Sequence, residues 1–165
     1  MGLAIALLTI SDTRSLADDA SGDHLLKQLQ AAGHHLQARS FCADDRYKIR
    51  AVLSHWIADP AVDVVITSGG TGLTGRDGTP EAVGPLLDKT IEGFGELFRV
   101  LSFEHIGTST LQSRCLAGVA NGTFIFVLPG SLDAVSTAWD RLIRAQLDVD
   151  TRPCNLAQLR ARLRE

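Results

Sequence analysis

Residues 62–80 restrict the fold more than any other stretch, because a strand-length apolar run there passes straight into a glycine-rich polar loop. Val62 to Ile66 carries apolar side chains at all but one position, as expected of a strand covered on both faces. The loop then reads Thr67-Ser68-Gly69-Gly70-Thr71-Gly72-Leu73-Thr74-Gly75-Arg76-Asp77-Gly78-Thr79-Pro80. Its glycines remove Cβ, admit positive φ and let backbone N–H groups converge on an anion. The hydroxyls of Thr67, Ser68, Thr71 and Thr74 add donors. A plain surface turn after a buried strand does not need this density of Gly and hydroxyl residues, so the loop reads as a phosphate cradle.

Two familiar nucleotide motifs fail a test of context. Gly70, Gly72 and Gly75 spell G-x-G-x-x-G, but the dinucleotide motif needs its helix to begin within the glycines. Here Gly78-Thr79-Pro80-Glu81 puts the helix start later, with Thr79 as N-cap and Pro80 at the first position. No acidic residue closes a second strand about 20 residues on, which disfavours a nicotinamide oxidoreductase. A P-loop needs Lys followed by Ser or Thr after its last Gly, where this chain has Arg76-Asp77.

Strands and helices alternate along the rest of the chain. Leu3 to Ile10 is a near-continuous apolar run, hence a central parallel strand, followed by the polar Ser11-Asp12-Thr13. Leu25, Leu26, Leu29 and Ala32 then recur at helical spacing, with Ser21 as the expected N-cap and Gly33 as the stop. His35 to Phe41 reads as an edge strand. Ile49, Val52, Leu53, Trp56 and Ile57 define a second helix before Pro60. A short helix is expected from Pro80 to about Leu87, and a longer one from Phe94 to Ile106 with Phe94, Leu97, Phe98 and Leu101 as its apolar stripe and Gly107 as its end. Asn121-Gly122 between two apolar runs signals a type I′ hairpin joining residues 115–120 to Thr123–Leu128. Val135, Ala138, Trp139, Leu142 and Ile143 mark a further helix, and Leu156, Leu159 and Leu163 one stripe of a C-terminal one. These elements predict a three-layer α/β/α fold with a mostly parallel, mixed sheet, as one domain over residues 1–165 with 150–165 as its tail.

Composition narrows the partners. A net charge of −3 in 165 residues supplies no general basic field for nucleic acid, and the tail arginines read as a solvated face. The apolar N-terminal run lacks a preceding basic segment, so it is not read as a signal peptide, and no run reaches membrane-spanning length. Three widely spaced cysteines without C-x-x-C fit reduced thiols in a cytoplasm. His34-His35 has no third ligand at metal spacing, and His24, His55 and His105 stand alone. There is no G-x-S-x-G elbow, and Cys115 reads as a small buried hydrophobe.

In sheets of this kind ligands bind beyond the carboxyl ends of the strands. Ser11-Asp12, Asp44-Asp45, the glycine loop through Asp77, and Gly130-Ser131 all follow expected strands, so one edge would collect all four. Carboxylates beside a phosphate repel it unless a divalent cation lies between, and oxygen ligands suit Mg²⁺. Asp44 and Asp77 are the candidate carboxylates. Asp44 and Asp45 each also fit a helix N-cap, and Asp77 also fits a turn residue before Gly78.

The glycine loop through T-P-E-A, with E-G-F-G-E-L-F-R, L-S-F-E-H-I-G-T-S-T-L-Q-S-R, V-L-P-G-S and T-R-P-C-N, resembles the molybdenum cofactor biosynthesis family that includes protein B and the molybdopterin adenylyltransferases. The similarity spans essentially the whole chain. It implies a molybdopterin-binding α/β/α domain assembled as a homotrimer or homohexamer, and Mg²⁺- and ATP-dependent adenylylation of molybdopterin. On this resemblance Asp44 and Asp77 are the catalytic and metal-binding residues, with Asp45 one register away from Asp44. The substrate contacts expected are Ser11, Asp12, Ser68, Gly69, Gly70, Thr71, Gly72, Ser109, Gly130 and Ser131. A non-catalytic molybdopterin-binding or scaffolding oligomer of the same pathway is the alternative.

Overall fold

A computed structural model describes residues 2–165. Six strands form one sheet in the order β2-β1-β3-β6-β5-β4, with β1 Ala4–Ile10, β2 His35–Cys42, β3 Val64–Ser68, β4 Lys89–Thr90, β5 Leu116–Ala120 and β6 Thr123–Leu128. β2, β1, β3 and β6 run parallel, whereas β5 is antiparallel to both its neighbours. The sheet is therefore mixed and mostly parallel. β2 lies at one edge, where its more polar sequence is tolerated.

Alternation along the central strands explains why they are apolar throughout. Ile5 and Leu7 of β1, Ile66 of β3, and Phe124 and Phe126 of β6 pack on one face with helices α1 (Ala20–Ala31), α4 (Glu92–Ile106) and α5 (Leu132–Ala138). Leu8 and Ile10, Val65, and Ile125 and Val127 pack on the other face with α2 (Arg46–Ala58) and α3 (Thr79–Val83). Both faces are covered, so every position of β1, β3 and β6 is buried. The polypeptide continues from α5 through a π-helical turn at Trp139–Ile143 into α6 (Arg144–Leu147), and the tail carries the short α7 (Leu156–Leu159). Among the described residues no helix is long and apolar enough to cross a membrane.

The Asn121-Gly122 hairpin forms as expected, with φ of 47° and 80° at its two turn residues. Four local expectations change. The N-cap of α1 is Asp19, not Ser21: the fully buried Asp19 carboxylate accepts from Gly22 N, Thr9 Oγ1 and Arg39, while Ser21 Oγ donates to Gly130 O. α3 starts from Gly78, because the Thr79 hydroxyl is directed to Gly69 O, and it tightens into a 3₁₀ turn at Gly84–Leu86, where Pro85 lacks the N–H to continue. Leu97 of α4 points outward rather than into the core. In the tail, Leu156 and Leu163 pack on the core but Leu159 is exposed.

Candidate functional site

The carboxyl ends of the four parallel strands lie along one edge, so the loops after Ile10, Cys42, Ser68 and Leu128 meet there. Ser11 N donates to Cys42 O at 3.0 Å and Gly69 N to Leu128 O at 3.0 Å, which ties the loops pairwise. The chain leaves β1 toward α1 on one face and leaves β3 toward α3 on the other. The crevice between these neighbouring strands is thus a topological switch point, where ligands of open α/β sheets bind.

Glycine is required in this crevice by both conformation and space. Gly69 and Gly70 have φ of 109° and 65°. A Cβ on Gly69 would lie 2.1 Å from Ile10 O, and one on Gly70 would lie 2.3 Å from Thr79 Oγ1 and 2.7 Å from Asp44 Oδ2. The doubled-back strand end is closed by Thr79, whose N donates to Gly70 O and whose hydroxyl donates to Gly69 O, each at 3.0 Å. Across the crevice Ser11 Oγ accepts from the N–H groups of Thr13 and Arg14, turning that loop so that Arg14 donates to Gly130 O at 2.9 Å. Ser131 caps α5 by accepting from Ala134 N.

These loops enclose a groove of about 470 Å³. Of the residues expected at the site, Ser11, Gly69, Gly70, Thr71, Gly72, Asp77, Gly130 and Ser131 line it. Four do not. Ser68 is buried within β3, and Asp12 lies on the β2 side, accepting from Asp44 N and pairing with Arg76 at 3.7 Å. Asp44 sits behind the loop against Gly70, and Ser109 is exposed on the 3₁₀ segment Gly107–Gln112. The end of that segment, at Gln112 and Ser113, reaches the groove in place of Ser109. Thr13 and Arg14 also line it, and Arg14 brings positive charge to the groove. A second groove of about 510 Å³ between α4 and α5 shares Ser131 with the first.

The two aspartates occupy different electrostatic settings. Asp77 accepts from Thr74 Oγ1 at 2.7 Å and Thr74 N at 2.8 Å, and this hydroxyl contact chiefly holds its carboxyl below the ordinary carboxylate range. Asp44 accepts from Gly78 N at 3.2 Å, yet burial, reinforced by the nearby Asp77, Asp12 and Glu81, pushes its carboxyl up. Asp45 is the N-cap of α2, accepting from Tyr47 N and Lys48 N, so Asp44 is the member of the pair that faces the glycine loop. Among the described residues no three His, Cys, Asp or Glu side chains converge to enclose a metal. Mg²⁺ takes only one or two carboxylates and completes its shell with water and phosphate oxygens, so Asp44 and Asp77, close enough for one to raise the other's carboxyl, are the donors available to it here.

Sequence reasoning passed over Arg114. Its N–H donates to Thr71 O, Nε to Gly72 O and Nη2 to Asp77 O, and Nη1 pairs with the Glu81 carboxylate. It lies 42 positions from Gly72, in a stretch without periodicity, so only its place in the S-R dipeptide before β5 could have drawn attention.

Residues 6–149 match the family described as a probable molybdopterin binding domain. Molybdenum cofactor biosynthesis protein B of Escherichia coli (strain K12) is 56% identical over 151 residues, covering 92% of this chain and 89% of that protein. The protein of the same name from Staphylococcus aureus (strain MRSA252) is 44% identical over 146 residues, covering 87% and 86%. A crystal structure of a molybdenum cofactor biosynthesis protein B superposes with a TM-score of 0.86 at 42% identity over 89% of this chain and 92% of that one. The tungsten cofactor synthesizing protein from Pyrococcus furiosus superposes with a TM-score of 0.80 at 30% identity over 99% and 98%.

Proposed function

Because the chain belongs to the molybdopterin-binding family of molybdenum cofactor biosynthesis proteins, we propose that it acts in that pathway by adenylylating molybdopterin with ATP and releasing pyrophosphate. The observation that carries this reading is the joining of Gly69–Gly72, Asp77, Arg14 and Gly130–Ser131 in one groove at the switch point of the sheet. In the reaction a terminal phosphate oxygen of molybdopterin attacks the α-phosphorus of ATP. One P–O bond forms, the bond from that phosphorus to the bridging oxygen breaks, and pyrophosphate leaves. The substrate is its own nucleophile, so the protein needs no covalent intermediate; it must align two anions and offset their charge.

The residues suit that task. The glycine loop lets backbone approach a phosphate closely, and Arg14 supplies positive charge at the groove. The second groove borders the first at Ser131, so a ligand larger than one groove has adjoining surface to occupy. Mg²⁺ held by Asp44 and Asp77, when bound, would neutralise phosphate charge and polarise a phosphoryl oxygen. The same reading carries a cytoplasmic location and a homotrimer or homohexamer, for which the exposed apolar face of α4 is the support.

The placement of Asp44 behind the loop rather than in the groove favours a second reading, a molybdopterin-binding oligomer without chemistry. One assay separates them: purified protein with molybdopterin, ATP and Mg²⁺, monitored for pyrophosphate. Adenylylation predicts release, and Asp77→Asn, which keeps an acceptor for Thr74, should slow it by about a hundredfold with an unchanged melting curve. Tight molybdopterin binding without release would establish the second reading instead.

A further inference from the structure

Resting on the adenylylation reading, we propose that Arg114 is the positioning residue of this site: it fixes the distal limb of the glycine loop from beneath and so sets where the Asp77 carboxylate stands in the groove. The limb from Leu73 to Arg76 is exposed, and a Cβ on Gly75 would meet nothing within 4 Å. Its internal ties are local, from Asp77 N to Thr74 O and from Thr74 to the Asp77 carboxylate, and the Arg76–Asp12 pair that reaches beyond it is a 3.7 Å contact in water with Arg76 78% exposed, which contributes little. Such ties hold the limb's shape but not its place. Arg114 supplies the place, because its guanidinium grips the loop on both sides of the limb, at Gly72 O and Asp77 O, each at 2.8 Å. Its third arm holds Glu81 in the first turn of α3, and its own N–H holds Thr71 O.

The division of labour at Asp77 follows. Arg114 anchors its main chain, Thr74 orients its side chain, and the carboxylate faces the groove. Arg114 does not line the groove, whereas its neighbour Ser113 does, so Arg114 acts through the loop and not on the ligand. Three acceptors reached by three different guanidinium nitrogens require a planar fork. A lysine ammonium at the end of a flexible stem reproduces one or two of these bonds without their mutual orientation.

The test compares wild type with Arg114→Lys and Arg114→Ala in the full chain. The first readout, without ligand, is hydrogen exchange: the amides of Thr74 and Asp77 should exchange about tenfold faster in both variants, while those of β3 and β6 keep their protection. The second is steady-state pyrophosphate release with molybdopterin, ATP and Mg²⁺. Both variants should lose about a hundredfold in kcat with KM within about threefold of wild type. Sub-denaturing guanidinium chloride should restore part of kcat in Arg114→Ala, and methylammonium should not. If wild type turns over and Arg114→Lys keeps its kcat, or if exchange is unchanged in both variants, the positioning role is overturned. If wild type releases no pyrophosphate, the adenylylation reading fails by itself, and the exchange measurement still decides whether Arg114 places the loop.

Discussion

Asp44 and Asp77 respond to acid in opposite senses, and that contrast is the sharpest consequence of their surroundings. Burial raises the Asp44 carboxyl above the ordinary carboxylate value, so the folded state holds that proton more tightly than the unfolded chain does. Its ionised form therefore costs stability near neutrality, and the cost is relieved as pH falls through the raised value. The Thr74 contacts depress Asp77, so its contribution is present above the unfolded carboxylate value and disappears only as pH falls through its lower folded value. Asp44 is thus the first of the two to lose charge, and the acid limb of a pH–rate profile should follow it. Asp12→Asn keeps an oxygen for the Asp44 N–H but removes a like charge, so it should move that limb to lower pH. Pyrophosphate release measured across pH for both proteins checks this; an unmoved limb would assign it to another group. At this scale the sequence made Gly69, Gly70 and Asp77 legible, since glycine encodes backbone conformation and Asp77 follows it within the same loop. Arg114 and Arg14 were not legible, because their partners are brought to them only by the fold. Ser109 was placed by its neighbourhood in a motif, and the 3₁₀ segment instead turns Gln112 and Ser113 to the groove.

Elements were readable where a local signal agreed with burial. The apolar strands, the Asn121-Gly122 hairpin and α2 with its apolar spacing all satisfy that condition. β4 has only two residues, both exposed, and exists because Lys89–Thr90 pairs with Gly118 and Val119 of β5; no periodicity can announce it. The C-terminal tail is a further case in which a long-range contact decides. Arg160 pairs with Asp63, a nearly buried carboxylate just before β3 that also accepts from Ala4 N at 2.9 Å. Arg164 donates to Asn121 O at the hairpin. The tail thereby clips the amino-terminal edges of β1, β3 and β6, away from the groove. Arg160→Ala would leave Asp63 buried with less than its full complement of partners, and should lower unfolding free energy in urea by about 2 kcal/mol, moderated because Arg160 is 44% exposed. Asp63→Asn combined with Arg160→Ala removes the stranded charge and should recover part of that loss. A fully additive double variant would show that the pair is not coupled.

The whole molecule exposes a surface that a monomer has little reason to keep. α4 carries apolar residues around most of its circumference, so helical spacing alone placed Leu97 in the core stripe with Phe94 and Phe98. The structure divides them: Phe94 and Phe98 pack under the sheet, while Leu97, Val100, Phe103 and Ile106, spaced three apart, are between 55% and 62% exposed. Leu111 lies beyond the same helix with 79% of its surface in water. Single exposed hydrophobes are ordinary, but a row along one helix marks a contact surface. Self-association covers it most economically, since every copy brings an identical patch, and closed symmetric homo-oligomers are the usual outcome. Val100→Glu with Phe103→Glu sets two like charges in the middle of this row. If self-association covers this row, wild type should sediment as a trimer or hexamer and the double variant as a monomer of 17.7 kDa, while its circular dichroism spectrum stays that of the folded chain. A wild-type protein that sediments as a monomer at micromolar concentration, or a double variant that keeps its assembly, would remove α4 as the interface and leave its apolar face to another partner.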